Sequence, residues 1–172
     1  MLLKRTQKLT KIGADILCLS CNTVHIFHPK LAASTPVEFV SMIDLVVEKT
    51  VRLNLKRVAL FATPVTIKSR LYQDKLTSVG VESFTLSTAG QKKYEKVLRA
   101  VVAGQVTPNH IQFLFKTASR LYRKHKLNGI ILGCTELPLI FPKDRFSGIP
   151  ILDSLDILAD SLLSKINYLT GQ

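Results

Sequence analysis

The chain has 172 residues, 47% of them hydrophobic, with 24 Lys and Arg against 12 Asp and Glu for a formal net charge of +12. That length supports a real core in one large domain or two small lobes, and the apolar content without any low-complexity tract excludes a disordered chain. No apolar run approaches the roughly 20 residues of a membrane helix.

The opening Met1-Leu-Leu-Lys-Arg-Thr-Gln-Lys8 turns basic too early for a signal peptide, so a cytoplasmic protein is expected. Three cysteines are too few and too odd in number for a disulfide framework, which suits a reduced compartment. The basic residues are densest over Lys116–Lys126. They read as a solvated helix face, as a nucleic-acid surface or as a field that draws in small anions. No nucleic-acid-binding signature accompanies them, so no nucleic-acid partner and no membrane partner is expected.

In chain order, Leu2 to Ile12 has the spacing of an amphipathic helix stopped by Gly13. Asp15 to Leu19 is a short apolar run of the kind that forms a buried strand. Asn22 to Leu31 begins like a helix and is interrupted by Pro29. Ser41 to Leu53 is helical by its spacing of Ile43, Val46, Val47 and Val51. Arg57 to Ala62 reads as a strand, followed by a Thr63-Pro64 turn. Thr66 to Ser78 reads as one helix with Gly80 as its stop, and Glu82 to Leu86 as a strand. Gln91 to Ala103 and Asn109 to Lys126 read as helices, Gly129 to Leu132 and Ile149 to Leu152 as strands. Ser154 to Tyr168 reads as a closing helix with Ser154 at its N-cap; Asp153 caps it or faces a cleft.

Short apolar strands alternating with helices predict an α/β fold with a parallel sheet covered on both faces. Ligands bind beyond the carboxyl ends of such strands. Cys21, Thr63, Cys134 and Asp153 all fall at that position.

Two of these positions match one another. Gly13-Ala-Asp-Ile-Leu-Cys-Leu-Ser-Cys21-Asn-Thr23 and Asn128-Gly-Ile-Ile-Leu-Gly-Cys134-Thr135 each run from a turn through an apolar strand to a small residue, a cysteine and a threonine. The echo suggests two similar lobes facing each other across a cleft. A cysteine between a strand and a helix meets unpaired N–H groups and the positive end of the helix dipole, both of which favour thiolate. Asn22, Thr23 and Thr135 either cap the following helices or bind a carboxylate. Two opposed thiols have the makings of a proton acceptor and a proton donor on opposite faces of one carbon, the arrangement that inverts a stereocentre without a cofactor. The carbanion formed needs its carboxylate held by N–H groups or cations.

Other readings compete. Each cysteine alone reads as an ordinary buried residue. Cys18, inside the apolar run, is expected in the core. Cys18, Cys21, His25 and His28 have a spacing that also reads as a metal site, and Cys18-Leu-Ser-Cys21 as a redox pair. Both conflict with Cys18 lying within a strand, so no metal is expected. His25, one helical turn after Cys21, either tunes that thiol or is a partly exposed helix residue. Glu136 suits the first turn of a helix, as a cap.

Cys21-Asn-Thr-Val-His25 resembles the first cysteine motif, Cys-Asn-Thr-Ala-His, of the aspartate/glutamate racemase family. Leu132-Gly-Cys-Thr-Glu-Leu-Pro-Leu139 resembles its second. Phe61-Ala-Thr63, Tyr72-Gln73, Gln91, Ala103-Gly104 and Ile149-Pro-Ile-Leu-Asp-Ser154 fall in the same order as similar residues of aspartate racemases.

The resemblance covers essentially the whole chain. It implies a cofactor-independent amino-acid racemase of two parallel-sheet lobes with helices on both faces. The first lobe would be residues 1–53 and 149–172, and the second 54–148. Cys21 and Cys134 would work opposite faces of the α-carbon of aspartate or glutamate. Asn22, Thr23, Thr63, Thr135 and Glu136 would hold the substrate, an acidic amino acid, in a homodimer.

Two departures stand out. The family carries an opening strand, a glycine loop and a substrate-binding Arg before its first cysteine motif, whereas twenty residues precede Cys21 here, so the first lobe is expected to be incomplete. Val102 stands where the family has a carboxylate-holding Lys. A second expectation follows: a truncated relative with impaired catalysis that acts as a small-acid binding or interaction module.

Overall fold

The computed structural model describes residues 1–142 and 144–170, residues 169 and 170 by their backbone alone. The polypeptide opens with helix α1 (Leu2–Lys11), which ends where Gly13 takes a φ of +85° that side-chain-bearing residues rarely adopt. Strand β1 (Ile16–Cys18) pairs in parallel with β2 (Glu38–Val40), and these two strands form a sheet of their own. Between them run a 3-10 turn (Thr23–Phe27) and helix α2 (His28–Ala32). Pro29 therefore sits in the first turn of α2, where its missing N–H has no helical partner to lose. It starts a helix rather than interrupting one.

Helix α3 (Met42–Arg52) follows, with Ser41 Oγ accepting from the Asp44 N–H at its start. Next come β3 (Arg57–Ala62), α4 (Pro64–Lys68), α5 (Gln73–Ser78), β4 (Glu82–Phe84), α6 (Thr88–Val102), α7 (Pro108–His125) and β5 (Gly129–Gly133). A two-residue strand β6 (Arg145–Phe146), β7 (Ile149–Asp153) and α8 (Ser154–Thr170) complete the described chain. The larger sheet runs β4-β3-β5-β7-β6, parallel throughout except for β6.

Its central strands are apolar on both faces because helices cover both. Ala59, Phe61, Ile130 and Leu132 pack against Tyr94, Val97 and Leu98 of α6 and Leu114 and Ala118 of α7. Val58, Leu60, Ala62 and Ile131 face the other way, against Ile43, Val46 and Val47 of α3 and Leu76 of α5. The lobe boundaries expected at 53/54 and 148/149 do not follow these layers. The strand β7 pairs with β5, and α3 packs on the larger sheet.

Three local expectations are corrected. The single helix over Thr66–Ser78 is two, broken around Arg70, whose φ is +55°. Side chains add hydrogen bonds to the carbonyls at the end of α4: Ser69 Oγ donates to the Val65 and Thr66 carbonyls, and Gln73 Nε2 to that of Ile67. The break turns Tyr72 fully into the core. Second, Cys18 is exposed rather than buried. Strand alternation gives the covered face of the small sheet to Leu17 and sends Cys18 to the other. Third, Asp153 Oδ1 accepts from the Leu155 N–H at the start of α8, so Asp153 and not Ser154 is the capping side chain. Among the described residues no helix is long and apolar enough to cross a membrane.

Candidate functional site

Strand register assembles the site's floor. Ala62 pairs with Gly133 and Leu132 with Asp153, so Thr63, Cys134 and Ser154 emerge side by side at the carboxyl edge of the larger sheet. The small residue before the cysteine has a packing reason. A Cβ on Gly133 would lie 3.1 Å from Ala62 Cβ, 3.2 Å from Leu60 Cδ1 and 3.2 Å from Tyr72 Cε2.

The loop after β1 is tied at three points, two of them on this edge and the third at the start of α3. Asn22 is buried, donates through Nδ2 to Ser154 Oγ at 2.9 Å and accepts on Oδ1 from the Tyr72 hydroxyl. The Thr23 hydroxyl lies 2.9 Å from that of Thr63 and 3.0 Å from that of Thr66, and these two are 2.9 Å apart. The third tie is His25, 2% exposed. Its Nε2 accepts from the Met42 N–H at 3.0 Å, so in the neutral ring the proton is on Nδ1, which donates to the Cys21 carbonyl at 2.8 Å. Burial lowers its pKa and keeps the ring neutral. His25 thus holds the backbone of Cys21 instead of touching its thiol.

The two thiols differ. Cys21 is exposed and Cys134 is buried. Cys134 Sγ donates to Glu136 Oε2 at 2.9 Å. Burial, and then the hydrogen bond and negative charge of Glu136, hold this thiol well above its ordinary pKa, with Cys21 a smaller contributor. The expectation that both cysteines sit at dipole-stabilised helix starts is corrected here. The segment after Cys134 is a three-residue 3-10 turn (Leu137–Leu139) and the one after Cys21 a five-residue one. Neither offers a full helix dipole, and burial dominates at Cys134.

Beside Cys134 opens a cavity of about 600 Å³, lined by Thr23, Thr63, Glu136 and Cys134 together with residues of α4 and α6. Cys21, Asn22 and Thr135 are not among its lining residues. Thr135 is half-buried. Helix α6 contributes Glu95 and Arg99, whose side chains pair at 2.7 Å. Their i,i+4 spacing is visible in the sequence, but nothing there shows that they border a cavity. Tyr94, on the same helix, buries a hydroxyl with no hydrogen-bond partner among the described residues, and burial, joined by the charges of Cys134 and Glu136, raises its pKa. Nearby, Gln91 Nε2 donates to the Ala62 carbonyl at 2.6 Å. Among the described residues no group of three His, Cys, Asp or Glu side chains is arranged to hold a metal ion.

Known proteins share this architecture. An aspartate racemase from Picrophilus torridus superposes with a TM-score of 0.79 at 25% identity, over 95% of this chain and 67% of that one. An aspartate racemase homologue from Pyrococcus horikoshii OT3 superposes at 0.82 and 22% identity, over 94% and 71%. In sequence, the Broad specificity amino-acid racemase RacX of Bacillus subtilis strain 168 is 28% identical over 96% of this chain and 70% of its own length. The glutamate racemase of Aquifex aeolicus strain VF5 is 28% identical over 87% and 58%. The chain thus spans about 70% of the first relative and less of the second. The family model for Asp/Glu/Hydantoin racemase matches residues 1–162, taking in both cysteine motifs and the strands that carry them, and the chain belongs to that family.

Proposed function

We propose that this protein is a cofactor-independent amino-acid racemase in which Cys21 and Cys134 exchange protons with opposite faces of the substrate α-carbon. One observation carries the reading: Cys134 is a buried thiol on the wall of a cavity, held in its protonated form by burial and by Glu136. A thiol in that state is a proton donor. Cys21, as thiolate, takes the α-proton. The electron pair left on carbon delocalises into the substrate carboxylate, and Cys134 returns a proton from the other side. The α-carbon is inverted, Cys21 ends as thiol and Cys134 as thiolate, and the reverse passage restores the start. One proton leaves and one arrives, so the step balances without oxidant or reductant.

The hydroxyls of Thr23 and Thr63 border the cavity and supply carboxylate donors, with the buried Thr66 hydroxyl behind them. They are bonded to each other in a ring, so substrate binding exchanges one internal bond for a charge-assisted one. The motif resemblance favours aspartate or glutamate as substrate. A cytoplasmic homodimer belongs to the same reading and rests on the same resemblance.

A second reading, binding without turnover, is favoured by the pairing of Arg99 with Glu95, which leaves that cation engaged. Exchange of the α-proton in D₂O, followed by NMR with each enantiomer of aspartate and glutamate, separates the two. The racemase reading expects exchange that vanishes in Cys21→Ala and in Cys134→Ala. Binding of an acid with no exchange, unchanged in Cys134→Ala, supports the second reading.

A further inference from the structure

Besides Cys134 and the threonines, the cavity is lined by apolar groups: Pro64 and Val65 at the start of α4, and Leu98, Val102 and Ala103 on and after α6. Val102 is 72% exposed and Val65 51%, so both present side chains to the opening without any partner of their own. The charged groups on the lining are one cation, Arg99, and two carboxylates, Glu95 and Glu136. The cation is already ion-paired to Glu95. Glu136 is already the acceptor for Cys134.

We propose that this cavity selects amino acids with neutral, apolar side chains over the dicarboxylic ones. The inference rests on the racemase reading and departs from the acids that the motif resemblance favours, taking the substrate class from the cavity lining instead. A bound amino acid must place its α-carbon beside Cys134 and its α-carboxylate where the threonine hydroxyls can donate. Its side chain then meets the apolar wall. A carboxylate there meets no unpaired cation among the described lining residues, and it faces a cavity carrying more negative than positive groups. An apolar side chain gains instead, by about fourfold in affinity for each methylene removed from water. With some 600 Å³ of space, leucine, methionine or phenylalanine fits without displacing the helices.

The test measures α-proton exchange in D₂O by NMR for leucine, methionine, phenylalanine, aspartate and glutamate under identical conditions. The expected result is kcat/KM at least tenfold higher for the best apolar substrate than for either acid. A Val102→Lys variant, at a position exposed enough to leave the fold intact by circular dichroism, is expected to raise aspartate exchange and lower leucine exchange by roughly tenfold each. Faster exchange with aspartate or glutamate in the unmodified protein overturns the specificity while leaving the racemase reading standing, as does equal exchange with all five. No exchange with any of them overturns both.

Discussion

Cys134 Sγ donates a hydrogen bond to Glu136 Oε2 across 2.9 Å, two residues along the same turn. This relationship favours the protonated state of the buried cysteine. Desolvation penalises the thiolate first, and the adjacent carboxylate penalises it again by accepting the thiol's hydrogen bond and by repulsion. Glu136 therefore acts on the proton inventory of the site without having to touch substrate.

Replacing Glu136 with Gln removes the charge and keeps the shape. The Cys134 thiol is expected to titrate lower than in the parent protein, though still above an ordinary cysteine because burial is untouched. Iodoacetamide labelling across pH, with each cysteine followed by its own peptide mass, reads this directly. The onset of Cys134 labelling moves to lower pH in the variant. An unchanged onset would mean that burial alone sets the thiol.

His25 gives a prediction with a definite sign. Its folded-state pKa lies below the ordinary 6.5, so between that depressed value and 6.5 the unfolded chain binds more protons than the folded one. Stability then rises with pH through that interval and is lost as pH falls below about 6.5. Urea denaturation of the parent protein and of His25→Gln, from pH 8 to pH 5, is expected to show a steeper acid loss in the parent. At neutral pH, His25→Ala leaves the Met42 N–H and the Cys21 carbonyl without their partner and is expected to cost about 1–3 kcal/mol. The same variant loosens the Cys21 loop, so exchange activity should fall although His25 does not contact the thiol.

Much of this was legible in the sequence where one interaction decided the outcome. β3, β5 and β7 lie where continuous apolar runs predicted them, because both faces of that sheet are covered. β2 was not legible: Glu38-Phe-Val40 is three residues long, and its identity as a strand depends on β1 beside it. Cys18 was misjudged for a related reason, since its parity was right but the sheet around β1 has one covered face. The break between α4 and α5 was invisible because the apolar spacing continues through it and the side chains that stabilise it bond to backbone. His25 was equally hidden, since its partners are two backbone atoms from different segments. The two cysteine motifs stood out because identity and order carry them, whereas the apolar wall of the cavity is made of residues that any helix bears.

Gly133→Ala tests how tightly the sheet edge is built. The added methyl meets Ala62, Leu60 and Tyr72 at 3.1–3.2 Å, closer than these groups comfortably sit, and two of the three contacts are to strand residues packed on both faces. Overpacking of this kind is expected to cost about 1–3 kcal/mol. Because residue 133 adjoins Cys134, the strain should also register at the thiol. The variant is expected to melt lower in a thermal scan and to label faster at Cys134. Unchanged melting would show that β3 and β5 separate more easily than their packing indicates.

Tyr72→Phe addresses the link between the small sheet's loop and the large sheet. The Tyr72 hydroxyl is buried and donates to Asn22 Oδ1, and Asn22 passes the connection to Ser154 Oγ at the start of α8. Removing the hydroxyl leaves a buried amide oxygen without a donor, at a cost of about 1–3 kcal/mol. Removing both partners, in a Tyr72→Phe, Asn22→Leu double variant, also removes the orphaned oxygen, so the double change is expected to cost less than the sum of the two singles. Chemical denaturation of the four proteins completes the cycle. Strict additivity would mean that Asn22 is held in place by Ser154 alone, and that the Cys21 loop reaches the sheet edge without help from the tyrosine turned inward by the break after α4.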